Sequence, residues 1–204
     1  MAETGQRTVV HLVRHGEVHN PGKILYGRLP DFHLSARGRS MAARTATSFT
    51  GRDVTYLAAS PLERVQETAA PIAEVTGLDF RTDPDLIEAG NIFEGLRTKG
   101  FPSQLMNPIR WRHMTNPLQP SWGEPYTEIL ERMQRAIATA RTEARGHEAV
   151  LVSHQLPIVM VQRWADDKRL AHMSRNCDLA SVTSLTFDGD TLTGWTYDEP
   201  ARDI

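Results

Sequence analysis

The chain reads as one α/β domain built on a largely parallel sheet, and three observations predict it. Short apolar runs alternate with helical patterns along all 204 residues. The runs Val9–Val13 and Ala149–Val152 are almost continuously apolar, as strands buried on both faces require. No repeat, low-complexity tract or shift of composition divides the chain.

Composition narrows the class further. Hydrophobic residues make up 40 %, enough for a substantial core. Lys and Arg number 23 against 25 Asp and Glu, a net charge of -2, which argues against a general nucleic-acid binder. No apolar run approaches the ~20 residues that span a bilayer. The polar start Met1–Arg7 shows no signal peptide, and the lone Cys177 excludes an internal disulfide. The expected location is the cytoplasm, with no membrane or nucleic-acid partner.

Taken in order, the first strand ends at Arg14-His15-Gly16 and gives way to an irregular stretch, His19–Leu34, rich in Gly and Pro. Ser35 is a good N-cap for a helix from about Ala36 to Phe49. Val54–Ala59 reads as a second strand. Ser60-Pro61-Leu62-Glu63 combines a serine N-cap, proline at N1 and glutamate at N3, so it predicts a capping box. That helix should run to Thr76 and end at Gly77. Phe80–Thr82 is a candidate short strand. Residues Gly90 to about Tyr126 have weak periodicity and are predicted to be a lid or binding loop. A helix from Tyr126 to Ala144 buries Ile129, Met133, Ile137 and Ala140 on one face. Ala149–Ser153 is a strand ending at His154, and Pro157 sits in the first turn of a helix reaching Trp164. Val182–Phe187 and Leu192–Tyr197 flank the hairpin turn Asp188-Gly189-Asp190-Thr191. These two strands either finish the sheet or lie at a homodimer interface.

Three strand-to-helix junctions deliver polar residues of one chemical kind. The first carries Arg14, His15 and Gly16, the second Ser60 and Arg64, the third Ser153 and His154. If their strands are neighbours in a parallel sheet, all three open on the same edge, where ligands bind in open α/β sheets. Two arginines, two histidines and helix N-termini would converge there, a combination suited to a phosphoryl group.

At this point the motifs match a known family. The chain resembles the histidine phosphatase superfamily, also called the phosphoglycerate mutase-like family, over roughly Val9 to Pro157. The resemblance is carried by Leu12-Val13-Arg14-His15-Gly16-Glu17, by Gly27, Leu34, Ser35 and Gly38, and by Ser60-Pro61-Leu62-Glu63-Arg64-Val65-Gln66-Glu67-Thr68-Ala69. Leu86-Ile87-Glu88 with Phe93-Glu94-Gly95, then Gly123-Glu124 and Val152-Ser153-His154, complete the set in order. It implies a three-layer α/β/α sandwich and a small phosphorylated substrate, with no cofactor and no metal.

The resemblance makes His15 a nucleophile that becomes phosphorylated, with Arg14, Arg64 and His154 holding the non-bridging oxygens. Glu88 is implied as the proton donor to the leaving group, with Glu17, Glu94 and Glu124 as alternatives. Asn20, Gly27 and Gln155 join Arg14, Arg64 and His154 as phosphate- or substrate-binding candidates. The carbonyl of Gly16 is a plausible partner to fix the His15 tautomer. The chain departs from the family where Val18 replaces a common Ser or Thr and where Asn20 precedes the usual asparagine position by one. Glu88 lies one residue nearer to Glu94-Gly95 than in many members, and Gln155 replaces a glycine.

Outside this set the plain structural reading is expected. His11 should be a satisfied core histidine, and His19, His33, His113, His147 and His172 should lie at the surface. Arg97, Lys99, Arg110 and Arg112 are expected to form a charged loop face rather than read an anionic substrate, Trp111 and Trp122 either line the pocket mouth or pack the lid onto the core, and Cys177 is inert. The functional expectation is a metal-independent phosphomonoesterase. A phosphoglycerate-type mutase, a catalytically weak phospho-ligand-binding member of the fold and a metallohydrolase are the alternatives.

Overall fold

The structure, a computed structural model, describes residues 6–97, 123–171 and 176–204. Six strands form one sheet in the order β3-β2-β4-β1-β5-β6. They are β1 (Arg7–Arg14), β2 (Val54–Ala59), β3 (Arg81–Thr82), β4 (Glu148–Ser153), β5 (Val182–Asp188) and β6 (Thr191–Asp198). The first four in space are mutually parallel, whereas β5 and β6 form an antiparallel hairpin on β1. Hence the sheet is largely parallel, as the apolar runs required.

Helices cover both faces. On one side α1 (Ala36–Ala46) and α2 (Glu63–Thr76) pack over Val13, Leu57, Val150 and Val152. On the other, α3 (Tyr126–Glu143) and α4 (Gln155–Ala165) pack over Val10, Leu12 and Leu151. The predicted stripe Ile129, Met133, Ile137 and Ala140 is buried on α3. No helix among the described residues is long and apolar enough to cross a membrane.

Local signals account for most boundaries. Ser35 caps α1 by accepting from Gly38 N, and Gly77 ends α2 in the left-handed region at φ 69°. Beyond Ala46 the predicted longer helix tightens into a 3₁₀ turn over Thr47–Phe49, and the short strand begins at Arg81 rather than Phe80. The capping box at Ser60 does not form. Helix α2 starts at Glu63, Leu62 occupies the cap without a side-chain bond, and the Ser60 hydroxyl bonds His154 instead. Ser60 still belongs to the strand exit, its N–H donating to Val152 O. A buried long-range partner therefore outcompetes the local cap. Of the predicted lid, residues 98–122 lie outside the described residues, with Lys99, Arg110, Trp111, Arg112, His113 and Trp122.

Parallel order brings the ends of β1, β2 and β4 level, since Arg14 registers with Ser153 and Ala59 with Val152. Behind this edge the turn after β1 passes very close to α1. A Cβ on Gly38 would stand 2.0 Å from Glu17 O, and one on Gly16 would stand 2.5 Å from Gly38 O. Both contacts are backbone, so neither can yield cheaply. Gly38→Ala is expected to destabilise the protein by about 1–3 kcal/mol, as overpacking of a tight contact does. Urea unfolding of the variant against the native chain measures it.

Candidate active site

Each of the three junctions places its polar residues at this one edge. His15 follows β1 directly, its N–H donating to Ser153 O, and it is 2 % exposed. His154 follows β4 and is fully buried, with its ring centroid 5.3 Å from that of His15. Arg64, in the first turn of α2, is fully buried as well. Its guanidinium lies 4.8 Å from the centre of the Tyr26 ring, which in turn lies 6.5 Å from the His15 ring.

The arginines are held in an unusual way. Arg14 donates to Cys177 O at 2.7 Å and Arg64 to Gly27 O at 2.6 Å, both backbone carbonyls rather than carboxylates. Both guanidiniums are therefore positioned by the main chain rather than by a carboxylate in contact. Arg14 Nε, Arg64 Nε and Nη1, and His154 Nδ1 are buried without a hydrogen-bond partner. Buried donors left unmatched are costly. Several such groups kept together at one sheet edge have the chemistry to take up an anion.

The protonation states suit the same end. His15 Nδ1 lies 2.8 Å from Gly16 O, an acceptor only, so Nδ1 carries the proton and Nε2 keeps its lone pair. Burial, reinforced by Arg14 and Arg64, holds His15 well below the ordinary histidine pKa, and the imidazole is neutral. Burial likewise lowers His154. Gly16 N–H is anchored on Thr68 Oγ1, whose hydroxyl donates to Arg64 O, tying the His15 turn to α2.

Of the four candidate carboxylates, Glu88 stands apart. Burial raises its pKa, with one oxygen accepting from Ala89 N and the other 3.9 Å from His154 Nδ1. Glu124 is engaged by Arg28 and Arg132 at 2.8 and 2.9 Å. Glu17 is engaged by Ser35 and Arg37, which lower its pKa. Glu94 lies against Gly27, where an added Cβ would fall 2.3 Å from Oε1.

The remaining candidates divide. Gly27 serves through its carbonyl, at φ 40°. Gln155 donates to Cys177 O, the carbonyl that also holds Arg14. Asn20 has both ends of its amide on the Ile24 backbone, bracing the 20–24 turn. Sequence reasoning missed Arg28 and Arg132, because their value lies in the tertiary contact with Glu124. It also missed Tyr26, which no motif marks.

Elsewhere the plain readings describe what is found. His11 is buried and satisfied by Ser184 and Glu148, beside a cleft of about 430 Å³ lined also by Phe49, Arg52 and Thr196. His19 is exposed, and the exposed His33 and His147 pair with Glu67 and Asp53. His172 lies outside the described residues. Cys177 is buried, which pushes its thiol up to about 11. Among the described residues no three His, Cys, Asp or Glu side chains are grouped as a metal would need.

Comparison with known proteins agrees with this geometry. The model of the histidine phosphatase superfamily (branch 1) matches residues 10–198. The uncharacterized protein Rv0525 of Mycobacterium tuberculosis is 52 % identical over 198 residues, covering 96 % of this chain and 98 % of its own. The "probable phosphoglycerate mutase GpmB" of Escherichia fergusonii is 31 % identical, with coverage of 85 % and 83 %. Among solved structures, the mycobacterial glucosyl-3-phosphoglycerate phosphatase Rv2419c superposes with a TM-score of 0.72 at 23 % identity, covering 95 % of this chain and 98 % of its own. The chain belongs to the histidine phosphatase superfamily and has the phosphoglycerate mutase-like fold.

Proposed function

We propose that the protein is a metal-independent phosphatase that hydrolyses a small phosphomonoester through a phosphohistidine at His15. The observation that carries this reading is an imidazole with its Nδ1 proton held by Gly16 O and its pKa lowered by burial, near two arginines that keep buried N–H groups without partners, Arg14 Nε and Arg64 Nε and Nη1. Fixed positive charge in a buried site stabilises the charge that spreads over a transferring phosphoryl group. Arg14, Arg64 and His154 take the non-bridging oxygens.

The reaction balances on two side chains. His15 Nε2 attacks phosphorus, the P–O bond breaks, and Glu88 gives its proton to the departing oxygen. Glu88, now a carboxylate, takes a proton from water as that water attacks phosphorus. The P–N bond then breaks, phosphate leaves, and both residues return to their starting states. The proton on Nδ1 stays there throughout, donated to Gly16 O. Burial raises the Glu88 pKa, which favours the protonated acid the first step needs.

Phosphoryl return to a substrate, as in a mutase, is the second reading and draws on the 31 % identical relative GpmB. Release of inorganic phosphate, scored across a panel of phosphorylated metabolites together with acid-labile protein phosphorylation, separates hydrolysis from transfer. His15→Ala should abolish both signals; turnover persisting in that variant overturns the nucleophile.

The pH dependence follows from the two shifts. His15 loses its lone pair only far below pH 6.5, because its pKa is lowered, so the acid limb lies well below neutrality. Glu88 gives up its proton at a pH above 4.5, because its pKa is raised, so kcat falls on the alkaline side as Glu88 ionises. Glu88→Gln should remove that alkaline limb. It should also cost far less with p-nitrophenyl phosphate than with an alkyl phosphate, since the first leaving group needs no proton.

Arg64 supplies a separate check. Inorganic phosphate should raise the melting temperature of the native protein. Arg64→Met should abolish that rise while leaving the anion-free protein at least as stable, because an unneutralised buried charge has been removed.

A further inference from the structure

Ser60 Oγ and His154 Nε2 lie 2.8 Å apart, and both side chains are fully buried. Among the described residues this is the sole hydrogen bond of the Ser60 hydroxyl. Two arrangements are open to the pair. In one, Nε2–H donates to Oγ. The hydroxyl proton then has no acceptor, and Nδ1 turns a lone pair toward the pocket, 3.9 Å from Glu88 Oε2 and facing any bound anion. In the other, the hydroxyl donates to Nε2 and Nδ1 carries the ring proton. The hydroxyl is then satisfied, and the otherwise unpartnered Nδ1 becomes a donor aimed into the site.

We propose that Ser60 is a positioning residue that fixes His154 as its Nδ1–H tautomer, so that a neutral imidazole donates a hydrogen bond to the bound phosphoryl group; this rests on the phosphatase reading above. Burial, with His15 and Arg64 nearby, disfavours an imidazolium at this position, so the donor arises from tautomer choice rather than from an added proton. The two histidines then hold the same tautomer for opposite ends. His15 spends Nδ1–H on Gly16 O and offers the lone pair of Nε2. His154 spends Nε2 on Ser60 and offers Nδ1–H. Which nitrogen faces the ligand separates nucleophile from donor.

The direct test is the ¹⁵N imidazole spectrum of the full-length protein at neutral pH, with His154 assigned by its loss in His154→Gln. The expected result is a protonated Nδ1 and an unprotonated Nε2 on His154. A proton on Nε2 overturns the assignment. Ser60→Ala should redistribute the tautomers, weaken binding of inorganic phosphate and lower kcat on the order of tenfold to a hundredfold, somewhat less than removing an oxyanion donor outright. Ser60→Thr, which keeps the hydroxyl, should restore both tautomer and affinity. Unchanged tautomer and phosphate affinity in Ser60→Ala would refute the role of the serine. A native His154 bearing its proton on Nδ1, in a protein that hydrolyses no phosphomonoester, would instead sink the functional reading and leave the tautomer assignment intact.

Discussion

Positive charge buried without a negative partner is the constraint on which this molecule turns. Arg64 is fully buried at the start of α2, where the helix dipole already opposes a cation, and it still leaves Nε and Nη1 unbonded. Arg14 keeps a free Nε beside it. Both are steadied by main-chain carbonyls, Gly27 O and Cys177 O, which fix direction without cancelling charge. A carboxylate in either place would give a more comfortable fold and a poorer anion site. The surrounding structure supplies the stability to tolerate this, through two apolar layers packed on the two faces of the sheet.

The same charge governs the neighbouring titratable groups. Cations close to His15 add to burial in holding its imidazole neutral, which is what leaves a lone pair free. Glu88 lies under opposing influences: Arg64, Arg14 and Arg132 favour its ionised form, but burial prevails and raises its pKa. Glu124 shows the contrast. It is met by Arg28 and Arg132, and its ion pairs tie the turn bearing Arg28 to α3. Arg28 Nε also donates to Glu88 O, so the neutralised pair braces the backbone of the carboxylate that is not neutralised. Paired and unpaired charges thus lie side by side, the paired ones bracing the backbone that carries the unpaired carboxylate.

Much of this was legible in the residues. Periodicity placed the strands and helices because a two-sided sheet and an amphipathic helix impose different repeats on apolar residues. The convergence of Arg14, His15, Arg64 and His154 was readable as well, because parallel neighbours put their carboxyl ends on one edge. The failure at Ser60 is equally informative. Serine, proline and glutamate in that spacing favour a cap through local bonds alone, but a buried imidazole ninety-four positions away along the chain competes for the same hydroxyl.

Composition, apolar period and ordered motifs were thus enough to determine the layered α/β architecture and the residues that gather at its edge. Folding in three dimensions alone decided how each of those residues is employed. It left Arg14 and Arg64 unneutralised, set Glu88 apart from Glu17 and Glu124, turned Asn20 onto the Ile24 backbone and aimed Ser60 at His154. The physical reason is that periodicity is a property of neighbours along the chain. Burial, charge pairing and tautomer are set by neighbours in space.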